Sequence, residues 1–370
     1  MLVGLAANSH MRREMNAPYA PSLPGSAGSP SDRTRPRAIS NWLFAVGALI
    51  FLMVIVGGIT RLTESGLSIT QWKPVSGAIP PLNGADWARE FALYQQTPEY
   101  QQINHGMSLS EFKKIYFWEY LHRLLGRVIG LAFLLPLIWF ALKKAIPSGY
   151  GKRLALLFVL GGLQGAIGWW MVVSGLVGRT DVSHLRLAVH LLTALLIFGT
   201  ILWTALDLRT SGAVRQRVPT LAIWALSALA LQLLFGAFVA GLDAGYAFNS
   251  WPLMGDELYP AAAPWLEPAI RNFVDNPITV QFVHRWLAFG VLAMAVVLAI
   301  RTKRAGGRRE SLLLHAAVGL QILLGIATLL TGVHLHVAVA HQGMAVVVIA
   351  AFLIAAHRLA LARSAPRPAE

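Results

Sequence analysis

No cysteine occurs in the 370 residues. That absence excludes disulfides, iron–sulfur ligation, covalent c-type haem attachment and a thiolate-ligated haem iron. It leaves the redox state of the compartment open. Charge is also scarce: 13% of residues are charged against 56% hydrophobic, too apolar for a soluble domain of this length. Acids are the rarer sign, 17 against 31 Lys and Arg, for a net charge of +14. Residues 1–40 lack the basic-then-apolar order and cleavage site of a signal peptide. Their Pro, Ser and Arg content predicts a disordered cytoplasmic tail.

What the chain has instead is long apolar runs. Eight are long enough to cross a bilayer as helices, over about 41–60, 122–142, 154–174, 185–205, 219–240, 282–300, 311–331 and 336–356. They are continuous rather than alternating, which predicts helices and disfavours a barrel. The basic residues explain the net charge without nucleic acid. They cluster in the N-terminal tail (Arg12, Arg13, Arg33, Arg35, Arg37) and in alternate short loops (Lys143, Lys144, Lys152, Arg153; Arg209, Arg215, Arg217; Arg301, Lys303, Arg304, Arg308, Arg309). They return as Arg358, Arg363 and Arg367. With eight spans and both termini cytoplasmic, all five segments fall on one side, the positive-inside bias. The long loops 61–117 and 241–280 fall on the other, with Asp243, Asp256, Glu257, Glu267 and Asp275 in the second. Residues 86–117 read as short amphipathic helices at the outer surface.

The chain also repeats itself. Glu119-Tyr120-Leu121-His122-Arg123 heads one apolar run and Gln281-Phe282-Val283-His284-Arg285 heads another, each histidine about one turn inside its helix. The turn from Gly66 to Pro74 returns from Gly245 to Pro252, with Trp72 matching Trp251. The small-residue face Gly162-Leu163-Gln164 to Gly168 returns as Gly319-Leu320-Gln321 to Gly325. Small residues let helices approach closely. The fold expected is an all-α integral membrane protein, eight transmembrane helices forming two pseudo-symmetric, parallel four-helix bundles. The first repeat covers 41–210, the second 211–357, and 358–370 is a cytoplasmic tail.

Each repeat offers one histidine on its second span and one on its fourth: His122 and His190, then His284 and His341. A lone intramembrane histidine is usually a hydrogen-bonding residue. Two matched pairs on neighbouring helices suit haem iron instead. A zinc or copper site would add a third or fourth ligand; His184, His334 and His336 are the candidates, though junction histidines are commonly just solvated. His105 reads as solvated, and His315 and His357 lie far from the pairs. Arg123 and Arg285, about 100° around the helix from the histidines, can reach propionates or headgroups. Arg61 either pairs with Glu64 or meets a ligand carboxylate. Glu119 shares a helix face with His122, whereas Gln281 holds the matching place before His284. An acid beside one haem position fits proton-coupled chemistry; an amide beside the other fits a resident electron-transfer centre. The plainer alternative is that Glu119 ends its helix near water.

Taken together, Gly57-Gly58-Ile59-Thr60-Arg61-Leu62-Thr63, Ser65-Gly66-Leu67-Ser68, the Trp72/Pro74 turn, Glu119-x-x-His122-Arg123 and the other three histidines resemble the haem A synthase family, over nearly all of 40–357. The resemblance implies a multi-pass enzyme of the cell inner membrane. It oxidises the C8 methyl of haem O through a hydroxymethyl haem and a geminal diol to the formyl group of haem A. It implies a haem b cofactor on His284 and His341. It places substrate haem on His122 and His190, with Glu119 beside it as catalytic acid or base and Arg61, Arg123 and Arg285 as candidate propionate contacts. The pathway implies a haem O-producing farnesyltransferase as partner, together with an electron-transfer partner the sequence does not identify. Some family members carry outer-loop cysteines; any thiol role proposed there cannot operate here. Two other readings fit parts of the sequence: a dihaem b-type cytochrome oxidising quinol, and a proton-coupled transporter built from parallel repeats.

Overall fold

The computed structural model describes residues 34–210 and 218–364. Ten α-helices lie among them: α1 (Pro36–Leu62), α2 (Gly84–Tyr94), α3 (Pro98–Gln102), α4 (Leu109–Leu142), α5 (Gly151–Leu176), α6 (His184–Arg209), α7 (Thr220–Gly241), α8 (Pro277–Arg304), α9 (Arg308–Leu330) and α10 (Leu335–Ser364). Eight, α1 and α4 to α10, are long and apolar enough to span a membrane. Among the described residues the only β pairing is an isolated bridge, Met254 to Glu257. The chain is thus an all-α, multi-pass membrane protein. Its outside carries Leu131, Leu135, Leu156, Val159 and Leu163 exposed, as lipid contact requires and water would not tolerate over so large a patch.

Several helices outrun the apolar runs that announced them, because caps and not hydropathy end a helix. α1 starts at Pro36, inside the stretch read as a tail, with proline in its first turn. α4 starts at Leu109 on a capping box: Ser108 N donates to Glu111 Oε2 at 2.8 Å and Glu111 N donates to Ser108 Oγ at 3.3 Å. His122 therefore lies several turns inside its helix, not one. α8 starts at Pro277 behind the Asn276 cap, again placing His284 deeper than expected. α10 continues through 358–364, also read as tail. Arg12, Arg13, Arg33, Arg215, Arg217 and Arg367 lie outside the described residues.

The early part of α4 projects beyond its apolar run and is covered by α2, while α3 lies against α5. Tyr94 and Phe112 are fully buried there, stacked at 5.2 Å, and Trp87 meets Tyr116 edge-on at 5.0 Å. Of the 86–117 segment, two short helices are separate and residues 109–117 belong to α4.

α1, α6, α7 and α10 form the seam between the two halves of the chain. The main core fills it, with Leu43, Val46, Ile201, Phe352 and Ala355 almost wholly buried. Polar groups lock it along its length. Gln342 Nε2 donates to Val54 O at 2.8 Å, and Ser40 Oγ donates to Ala205 O at 2.8 Å. Toward the basic loops, Asp207 joins Arg153 at 2.8 Å and His357 at 3.1 Å.

Candidate functional site

Each of the four histidines rests against a glycine of the preceding membrane helix. His122 of α4 faces Gly57 of α1, His190 of α6 faces Gly168 of α5, His284 of α8 faces Gly236 of α7, and His341 of α10 faces Gly325 of α9. The fit is close at three of them. A Cβ would come 2.9 Å from His190 Cε1 at Gly168, 3.0 Å from His284 Cε1 at Gly236 and 2.9 Å from His341 Cε1 at Gly325. Any larger residue would push the imidazole away. At Gly57 the nearest atom is His122 Nε2 at 3.6 Å, ordinary contact with a different edge of the ring. The glycine after it, Gly58, makes room for Gln342, whose amide lies 3.0 Å from a Cβ there. The Gly57-Gly58 pair thus touches His122 with one residue and the neighbour of His341 with the next.

Four residues before three of these glycines stands a glutamine. Gln164 Nε2 donates to His190 O at 2.8 Å and lies 3.0 Å from His190 Nδ1. Gln232 Nε2 donates to His284 O at 3.0 Å and lies 3.1 Å from His284 Nδ1. Gln321 holds the same place relative to Gly325, where its Oε1 and His341 Nδ1 are both buried without a partner. At the fourth glycine the matching residue is Met53.

His284 and His341 face each other with ring centroids 6.5 Å apart and planes at 90°. Two imidazoles that share one metal at about 2 Å from each ring nitrogen have centroids roughly 6 Å apart. The pair therefore fits the two axial positions of a haem iron. Where Gln164 and Gln232 reach their histidines, the contacting atom is the amide Nε2, a donor, which holds the histidine's backbone carbonyl and lies beside Nδ1; their Oε1 atoms have no partner.

Glu119 is 2% exposed and lies well inside α4, so the reading of it as a helix-end residue near water does not hold. It accepts hydrogen bonds from Ser68 Oγ at 2.7 Å, Ile69 N at 2.7 Å, and Arg123 Nε and Nη2 at 3.0 and 2.6 Å. Arg123 also donates to the carbonyls of Ile69 at 2.8 Å and Gln71 at 3.0 Å. The second half repeats this in register. Arg285 donates to the carbonyls of Phe248 at 2.8 Å and Ser250 at 2.8 Å and to Gln281 Oε1 at 3.1 Å, while Gln281 Nε2 donates to Phe248 O at 3.0 Å. Both arginines clamp the loop after the preceding span onto the histidine helix.

Arg61 does meet carboxylates, but those of the protein. It pairs with Asp181 and Asp243, both at 2.9 Å, tying the α5–α6 loop to the end of α7. Glu64 meets Arg61 only through the backbone, its N–H donating to Arg61 O at 3.2 Å, and not through its carboxylate. His184 contacts Asp275 at 3.3 Å, and His334 stacks near His336 at 5.4 Å. Among the described residues no three His, Cys, Asp or Glu side chains gather as a metal site, so these histidines do not supply a third ligand to either pair. Glu99 of α3 went unremarked in the sequence. It is 4% exposed with Oε2 unpartnered, and burial, then the nearby Glu119 and Glu64 carboxylates, push it up to about 8. The orienting glutamines were missed as well. Gln164 and Gln321 were visible in the small-residue motifs, and the shared signal Gln-x-x-x-Gly would have added Gln232.

Comparison with known proteins agrees over the same span. A family model described as COX15-CtaA, cytochrome oxidase assembly protein, matches residues 40–353. A protein of Sphingopyxis alaskensis named Heme A synthase is 51% identical over 341 residues, covering 90% of this chain and 96% of that one. A Rhizorhabdus wittichii protein of the same name is 55% identical over 336 residues, covering 88% and 95%. One from Novosphingobium aromaticivorans is 48% identical over 346 residues, covering 90% and 99%. With glycine-seated histidines inside matching membrane helices, and likeness running nearly end to end, the chain belongs to the COX15-CtaA family of cytochrome oxidase assembly proteins.

Proposed function

We propose that the haem A synthase activity of this chain is divided between its two halves, each a four-helix bundle. The first half, with His122 and His190, holds haem O while its C8 methyl is oxidised in two successive hydroxylations and the resulting diol loses water to give the formyl group. The second half, with His284 and His341, holds a resident haem b. A haem bound there supplies one-electron redox chemistry. The observation that carries the division is the unlike pair Glu119 and Gln281 in otherwise repeated surroundings. Glu119 is the residue that holds or moves a proton beside the first pair, and Ser68, at 2.7 Å, is its hydroxyl neighbour. Arg123 keeps the carboxylate charge compensated while it fixes the loop. Gln281, without a charge to exchange, only fixes its loop. Arg61, Arg123 and Arg285 remain candidate propionate contacts, although each also serves a protein acceptor. The curated relatives all carry the haem A synthase name, which does not favour a quinol-oxidising cytochrome or a transporter.

The substrate implies a farnesyltransferase that makes haem O as the upstream partner, and a separate electron carrier. The distribution of basic loops supports cytoplasmic termini and a histidine end on the outer side of the cell inner membrane. Reporters fused near Ser148 and Ala262 should read cytoplasmic and external; the reverse would invert this orientation. The decisive test of function is extraction of the haems from purified protein with mass identification. Haem O, its hydroxylated form or haem A beside haem B supports the reading, and haem B alone under haem O supply defeats it.

A further inference from the structure

Three of the four histidines have a glutamine on the neighbouring helix and one does not. His190 and His284 are each bound through the backbone carbonyl by a glutamine amide that also reaches Nδ1. His341 has Gln321 in the corresponding place, with two orphaned polar atoms, Gln321 Oε1 and His341 Nδ1. In the first half the corresponding position, four residues before Gly57, is Met53; its methyl lies against Gly126 of the His122 helix, and its thioether neither accepts strongly nor donates. The ring orientation differs in step. The other three histidines turn Cε1 and Nδ1 toward their glycine at 2.9–3.6 Å, whereas His122 turns Nε2 and Cε1 toward Gly57 at 3.6 and 3.7 Å. His122 is therefore neither tethered by an amide nor seated as tightly.

We propose that the glutamines are positioning residues that hold histidines as fixed axial ligands, and that Met53 leaves His122 as the ligand that lets go, so that the first half exchanges haem while the second retains it. The inference rests on the functional reading above and deepens it. A histidine whose backbone carbonyl is held by an amide N–H from the neighbouring helix cannot swing away from its metal without breaking that bond. Substrate must enter and product must leave the first site, so one loosely held ligand there serves turnover. A cofactor has no such need, and in the second half both histidines are provided with a glutamine. His190 keeps its own, so the first half has one fixed point and one movable one.

The test uses full-length protein purified in detergent from cells that make haem O. It follows transfer of each haem to excess apomyoglobin, with haems identified by mass, and the midpoint potential of the b-type haem. In wild type, haem O or haem A should leave faster than haem B. Met53→Gln should slow the fast release about five- to tenfold, the change one neutral hydrogen bond carries. Gln232→Met should speed haem B release by a similar factor and shift its midpoint potential. Gln232→Glu, which keeps the shape but has no N–H for the His284 carbonyl, should speed release as Gln232→Met does, whereas a merely space-filling role would leave the wild-type rate. Equal release of haem O or haem A from wild type and Met53→Gln, with the b-type spectrum intact, would overturn the inference alone. So would an unchanged haem B potential and release rate in Gln232→Met. Protein that never carries haem O or haem A would overturn the functional reading and this inference together.

Discussion

Glu119 and Gln281 stand in the same relation to a histidine three residues on, an arginine four residues on and the loop before their helix. Each is almost fully buried, at 2% and 1% exposure, and each helps to pin that loop through hydrogen bonds in the same register. The second half shows that a neutral amide suffices for the pinning. A buried carboxylate is therefore not what the architecture requires, and its desolvation is costly unless an ion pair offsets it. The first half accepts that cost, supplies Arg123 at 2.6 Å, and adds the Ser68 hydroxyl that the second half lacks at Ala247. What the carboxylate offers beyond the amide is a charge and a proton site, next to the pair of histidines where oxidation is proposed.

The largest expected effect separates the two pairs of histidines. His284→Ala or His341→Ala should abolish the b-type haem spectrum of the purified protein, while His122→Ala should leave it. Retention of the full spectrum in both second-half variants would break the assignment. Next is the acid itself. Glu119→Gln should keep the loop pinned and the resident haem bound, yet slow conversion by roughly 10²–10⁴, so that haem O or its hydroxymethyl form accumulates in cells. Gln281→Glu should mainly shift the potential of the resident haem. Normal haem A production by Glu119→Gln would leave the carboxylate as a loop clamp only.

The arginines sharpen the same contrast through stability. Arg123→Met strands a buried carboxylate and should cost about 3–5 kcal/mol. Arg285→Met strands only carbonyls and an amide and should cost about 1–3 kcal/mol. Adding Glu119→Gln to Arg123→Met should recover part of the loss; chemical denaturation in detergent measures all three. Equal losses for the two arginines would show that the charge on Glu119 matters little to the fold. The smallest effect concerns Glu99, whose carboxyl is raised from 4.5 to about 8. An acid raised in the fold stays protonated while the unfolded chain ionises, so stability declines as pH climbs from 4.5 to about 8. Glu99→Gln removes that penalty and should raise the melting temperature by about 2–4 °C at pH 8, with little change at pH 5. A shift of the same size at both values would show that Glu99 is ionised in the fold.

Much of this molecule was legible beforehand because membrane insertion imposes simple rules. Continuous apolar runs of span length had to be helices, since lipid offers no partner for a free backbone group, and the eight expected spans correspond to the eight long helices. The limits of those helices were less legible. Hydropathy stops where lipid stops, whereas α4 runs on from Leu109 because Ser108 and Glu111 cap it and Tyr94 and Trp87 cover its projecting turns. The arginines were only partly legible for a related reason. Beside a histidine in the sequence they suggest a ligand; in space the same side chains meet loop carbonyls that lie some fifty residues earlier in the first half.

By itself the sequence determined the all-helical membrane character, the internal repeat, the four histidines and the acid–amide difference between Glu119 and Gln281. These follow from residue type and spacing along one helix or one span, which local chemistry dictates. Only the tertiary structure decided which glycine seats which histidine, that Gln164 and Gln232 reach across to His190 and His284 while Met53 lies against Gly126 of α4, and that Arg61 joins Asp181 to Asp243. Those relations depend on how helices far apart in the chain turn their faces toward one another. Interhelical packing sets those rotations, and a period read within one helix carries no record of them.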